Sequence, residues 1–75
     1  MNFNPALSFT DVLKQAKAEK ANVTVHLRGN SSFSGSVGSV AEHNVVLTEL
    51  AGKEFFDAII RIDQITAIET RVRTR

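Results

Sequence analysis

The sequence has no cysteine and only two histidines, His26 and His43, so disulfides and a Cys/His metal centre are excluded as sources of stability. At 75 residues it has material for one domain, and a chain of that size buries too little of its surface to be more than marginally stable by itself. With covalent and metal staples excluded, self-association is the supplement that remains. The lack of cysteine also fits a reducing compartment, and the expected location is the cytoplasm. No basic start followed by an apolar stretch opens the chain between Met1 and Phe9, and no run approaches the length of a bilayer. The expectation is a soluble chain with neither signal peptide nor membrane span.

An excess of one charge is also missing. Nine Lys and Arg stand against eight Asp and Glu, a net charge of +1, so affinity for nucleic acid must rest on local charge. Two local clusters exist: Lys14, Lys17 and Lys20 recur three apart, and Arg71, Arg73 and Arg75 end the chain. Each is equally readable as a solvated helix face and a frayed tail. Catalytic signatures are lacking too. There is no cysteine nucleophile, no G-x-S-x-G turn, no His pair at metal-binding spacing and no Gly-rich phosphate loop. Asp57 and Asp63 straddle a strand end and are not marked as a pair. The chain is expected not to be an enzyme and to use no cofactor or metal.

Periodicity is what the sequence does contain. Between Ser8 and about Lys20, Phe9, Val12, Leu13 and Ala16 fall at i, i+3, i+4 and i+7, one face of a helix, with the three lysines on the remaining circumference. Ser8 supplies a cap, Asp11 suits the positive end of the dipole, and Pro5 is tolerated just before. After Ala21-Asn22 the period changes to two. Val23, Val25 and Leu27 alternate with Thr24, His26 and Arg28, and Gly29-Asn30 supplies a turn. His26 reads as exposed surface. A second strand carries Phe33, Gly35 and Val37, with Gly35 marking a sharp bend or a bulge, since it has no Cβ to obstruct close backbone approach.

Val40 to Asn44 reads as a connection, Val45 to Leu50 as a third strand, and Ala51-Gly52-Lys53 as a tight turn. The fourth strand is expected over Glu54 to Ile62, with Phe56, Ala58, Ile60 and Ile62 on one side and Phe55, Asp57, Ile59 and Arg61 on the other. A strand apolar on both faces asks for cover on both, and a neighbouring subunit is the available cover. After Asp63-Gln64, a fifth strand from Ile65 to Val72 has Thr66, Ile68, Thr70 and Val72 on a common face. The predicted fold is mainly β: a small, strongly bent, five-stranded antiparallel barrel behind an N-terminal helix. It forms one domain over 1–75, with the helix at about 8–20, the barrel at about 22–72 and a basic tail at 73–75. Edge strands template further pairing, so the fourth strand of one copy joined to the fifth of the next would close a homo-oligomeric ring.

This order of elements, with Val23-Thr24-Val25-His26-Leu27 before Gly29-Asn30, Gly35-Ser36-Val37, Ala41-Glu42-His43-Asn44 and Ile60-Arg61-Ile62-Asp63-Gln64-Ile65 followed by Ile68, resembles the Sm/LSm family, including its bacterial Hfq branch of RNA chaperones. It covers nearly the whole chain. Ala41 stands where the family has Asp, and Ile62 where it has Gly. The resemblance implies a ring that binds single-stranded nucleic acid, RNA before DNA, in RNA processing or chaperoning. It implies His43 as a base-stacking platform, Asn44 as a hydrogen-bonding partner of a base edge, and Arg61 as the cover from the other side. Asp63, or Glu42, would orient Asn44 or Arg61. A helix face carrying Lys14, Lys17 and Lys20 would place a circle of positive charge on the ring. Without the resemblance, His43-Asn44 is ordinary turn chemistry and Arg61 an ion-pair partner of Asp57 or Asp63. The alternative function is a protein-interaction or structural ring that binds no nucleic acid.

Overall fold

A computed structural model describes residues 3–53 and 55–71. Helix α1 spans Phe9–Ala18. At its start Ser8 is extended and its hydroxyl accepts the Asp11 N–H at 3.2 Å, satisfying one of the donors that the first turn leaves unpaired. At its end Lys20 turns left-handed, φ 55°. The Lys20 N–H then reaches the Lys17 carbonyl at 3.1 Å and the Ala21 N–H the Ala16 carbonyl at 2.9 Å. This paired closure usually has Gly at the left-handed position. Val12, Leu13 and Ala16 are buried as their spacing predicts, while Phe9 lies at the border of that face.

Strands β1 (Asn22–Leu27), β2 (Ser32–Val40), β3 (Asn44–Thr48), β4 (Ala58–Arg61) and β5 (Ile65–Thr70) form one antiparallel sheet in the order β4-β3-β2-β1-β5. A short 3₁₀ turn, Ile62–Gln64, joins the two edge strands. Alternation puts Val23 and Val25, Val37, Val45 and Leu47, Ile60 and Ile65 on the inner face, where they pack with Leu13, Ala16 and Leu50. The mainly β, Sm-like layout of helix and bent sheet predicted from the sequence is the one found. Among the described residues, no helix is long and apolar enough to cross a membrane.

Gly29 and Asn30 are both left-handed, φ 85° and 68°, as a tight hairpin between β1 and β2 requires. The bend of β2 is displaced from the expected position. The β2–β3 register shifts between Val37 and Ser39, so the bulge is at Gly38. Gly35 serves the other purpose open to a strand glycine, close approach: a Cβ there would lie 2.6 Å from the Thr48 carbonyl oxygen.

Four expected boundaries are corrected. The regular part of β4 is Ala58–Arg61, because Phe55 adopts a left-handed φ of 67° that interrupts extended pairing; Phe56 is exposed and does not share the inner side with Ile60. Glu54 lies outside the described residues. The third strand ends at Thr48, since Glu49 is left-handed at φ 52°, although Leu50 still turns inward. Val40 and Asn44 belong to strands, and only 41–43 connect them. On β5 a bulge opposite His26 and Leu27 leaves Thr66 without a partner: Ile65 faces Leu27 and Ala67 faces His26. Ile65 is therefore buried while Thr66 is exposed, which reverses the expected phase at the start of the strand. Val72 and the tail at 73–75 lie outside the described residues.

Candidate nucleic-acid interface

Two segments far apart in sequence meet at one end of the sheet. Pairing of β3 with β4 puts Asn44 directly opposite Arg61. The loop before β3 is closed by the Ala41 N–H donating to the Asn44 carbonyl at 2.8 Å, and it is tied to the turn after β4 by the Ile62 N–H donating to the His43 carbonyl at 2.9 Å. These backbone bonds hold His43 and Asn44 beside Arg61 and Asp63. The family-like motifs, separated by the whole β3–β4 hairpin, thus form one surface.

The side chains on that surface are open to solvent. His43 is 81% exposed, and its Nε2 is 3.8 Å from Glu42 Oε1. Arg61 donates from Nη2 to Asp63 Oδ2 at 2.8 Å, and the Gln64 amide donates to Asp63 Oδ1 at 3.4 Å. An exposed ion pair of this kind is weak, so Asp63 orients Arg61 without locking it. The guanidinium has five donors in one plane, which leaves further N–H groups for a phosphate or a base edge. The imidazole of His43 offers a flat face. Asn44, half-buried at the strand start, adds an amide.

The four predicted residues are gathered, and two that sequence reasoning did not single out join them. The Arg28 N–H donates to the Gln64 carbonyl at 3.1 Å, which brings the β1–β2 turn, with its exposed Arg28, to the turn after β4. The only local hint was an Arg next to Gly29-Asn30; the contact to Gln64 is a product of the sheet's bend. Arg28 and Arg61 balance Glu42 and Asp63, so the surface is mixed in charge. His26, read as surface, pairs through Nε2 with Glu69 Oε1 on the outside of β1 and β5. Among the described residues no group of three or more His, Cys, Asp and Glu side chains could hold a metal ion.

None of His43, Asn44, Arg61 and Asp63 lines the cavities of about 440 Å³ and 470 Å³, which lie around Glu49 and the far ends of β1 and β5. In the single chain the candidate interface is an open surface.

No protein-family model matches the chain, and no curated protein sequence does. Among solved structures it is similar to the 1.55 Å crystal structure of the pleiotropic translational regulator Hfq, at 18% sequence identity and a TM-score of 0.70, over 95% of this chain and 100% of that one. The chain therefore has the Sm-like fold of Hfq, carried by a divergent sequence.

Proposed function

We propose that the chain is the subunit of an Sm-like homo-oligomeric ring that binds single-stranded nucleic acid, RNA before DNA, in RNA processing or chaperoning in the cytoplasm. It works as one non-catalytic domain over 1–75. The observation that carries this reading is the juxtaposition of Asn44 with Arg61 and of His43 with Ile62, which unites stacking, amide and guanidinium groups contributed by two distant segments. In this reading His43 stacks on an unpaired base, Asn44 hydrogen-bonds its edge, Arg61 covers it or meets a phosphate, and Asp63 orients Arg61. The fold is shared with a protein described as a translational regulator, which supports RNA as the partner.

The ring reading is supported by the sheet order. β4 and β5 are its two outer strands, and pairing of β4 in one copy with β5 in the next joins different surfaces, so that repeated rotation can close. Lys14 and Lys17 on α1, and Lys20 just beyond its end, are exposed and add a non-specific phosphate contact. The second reading, a ring that docks proteins and no nucleic acid, is favoured by one observation: Glu42 and Asp63 offset the positive charge of the candidate interface.

Fluorescence anisotropy with short labelled U-rich and A-rich strands, at low and moderate salt, decides between them. The wild type binds, and more weakly as salt rises; Arg61→Ala and His43→Ala each lower affinity several-fold. No binding at low salt leaves the protein-docking ring. Loss confined to changes at Lys14, Lys17 and Lys20 moves the contact to the helix face.

A further inference from the structure

The β3–β4 hairpin has two ends. One carries the candidate interface at His43, Asn44 and Arg61; the other is the tip between Thr48 and Ala58, where Phe55 is 101% exposed and Phe56 61%. Two adjacent aromatic side chains in open solvent, with acidic residues beside them, mark a contact surface. Backbone bonds pin the described part of this tip. The Lys53 N–H donates to the Leu50 carbonyl at 3.1 Å, the Phe56 N–H to the Lys53 carbonyl at 3.1 Å and the Ala51 N–H to the Ser34 carbonyl at 2.9 Å. Within this frame Phe55 is left-handed, φ 67°, a conformation that a bulky side chain rarely adopts and that persists only where the surroundings fix it. Its ring forms one wall of a groove of about 470 Å³, whose other walls are Leu50, Glu49 and Asp57.

We propose that this groove docks an arginine side chain from a basic segment of another protein. The Phe55 ring offers its negative face to a guanidinium, and the carboxylates of Glu49 and Asp57 offer acceptors for its fork of N–H donors. Among the described residues neither carboxylate has a hydrogen-bond or ion-pair partner. The cation of the tip itself is engaged elsewhere: Lys53 Nζ lies 5.5 Å from the centroid of the Phe33 ring, and Lys53 is not one of the walls. Charge selects the occupant. Two carboxylates without a cation repel nucleic acid and acidic peptides, and a wholly apolar segment would strip water from both carboxylates and replace it with nothing. Arginine suits the groove better than lysine, because its planar group stacks on a ring and pairs with a carboxylate at the same time. The proposal goes beyond the nucleic-acid reading and does not rest on it, since the groove and the candidate interface share no residue and lie at opposite ends of one hairpin.

Fluorescence anisotropy of the full chain with a labelled peptide of arginine, serine and glycine, and with its lysine counterpart, tests the proposal; a short RNA strand is titrated in parallel. The wild type binds the arginine peptide several-fold more tightly than the lysine peptide. Phe55→Gly and Asp57→Asn each lower that affinity several-fold and leave RNA binding unchanged. Both positions are exposed, and glycine accepts the left-handed backbone at 55, so both variants keep the wild-type circular dichroism and neither melts lower. No peptide binding by the wild type at low salt overturns the proposal. Binding that survives Phe55→Gly and falls only with Asp57→Asn overturns it as well, leaving unspecific attraction between opposite charges. RNA affinity that falls in Phe55→Gly makes the aromatic side chain a base platform and overturns the protein partner. A lower mass of Phe55→Gly by light scattering makes the occupant a second copy of the chain, and overturns it too.

Discussion

At Gly35 the missing side chain is the functional one. Its place is taken by the Thr48 carbonyl, 2.6 Å from where a Cβ would stand, and Thr48 is held in the ladder opposite Ser36. Gly35→Ala therefore forces backbone apart, and overpacking of this kind costs about 1–3 kcal/mol. A urea titration reads it as a lowered midpoint with little change in slope. At Gly38 the added methyl meets the Thr48 Cγ2, the end of a side chain, so Gly38→Ala is the milder change. The sequence marks Gly35 as special because a strand interior rarely tolerates glycine without reason, but it does not distinguish bend from close approach. That depends on Thr48, which lies across the sheet. The candidate site divides in the same way. Arg61 and Asp63 are two residues apart, and their pairing is readable locally; the approach of Asn44 to Arg61 and of Arg28 to Gln64 exists only once the sheet has bent.

Among the elements, α1 follows its sequence closely, because cap, apolar spacing and dipole charges all agree within one segment. Ser8→Ala removes the acceptor of the Asp11 N–H and lowers stability by about 1 kcal/mol, measurable by thermal or urea unfolding. The first strand was equally readable, since Val23 and Val25 alternate with polar residues and both are buried. The fourth strand is shorter than its residue types suggest. Phe55 and Phe56 look like strand interior by type, yet the left-handed backbone at Phe55 ends the regular pairing and leaves both exposed, while Ile59, paired opposite Val46, is exposed because it lies on the outer face of an edge strand. The fifth strand starts out of phase with its sequence alternation. A bulge shifts alternation by one, and Thr66 carries no signal that it is the surplus residue.

For the whole molecule, the core of the isolated chain is a single layer of Val, Leu and Ile side chains between one helix and one bent sheet. In the proposed ring, association would add to the stability of so small a core, since anything that binds the folded form raises its melting temperature by mass action. Differential scanning calorimetry is expected to show a melting temperature that climbs between about 1 µM and about 100 µM protein. A concentration-independent melting temperature for the wild type would mean that the chain stands alone. The expectation of association rests on absences in the sequence, no cysteine and few histidines; that β4 and β5 are the two outer strands emerges only from the order of the sheet.

That order also bears on how an assembly would grow. A row of copies joined β4 to β5 always ends in one unused β4 and one unused β5, whatever its length. Every intermediate is therefore as adhesive as the monomer, and addition of a further copy removes no adhesive end. Only the closing step removes both at once. The curvature built in at the Gly38 bulge then separates two fates of the same chain: a set of rings of fixed size, or a filament that never finds its own tail.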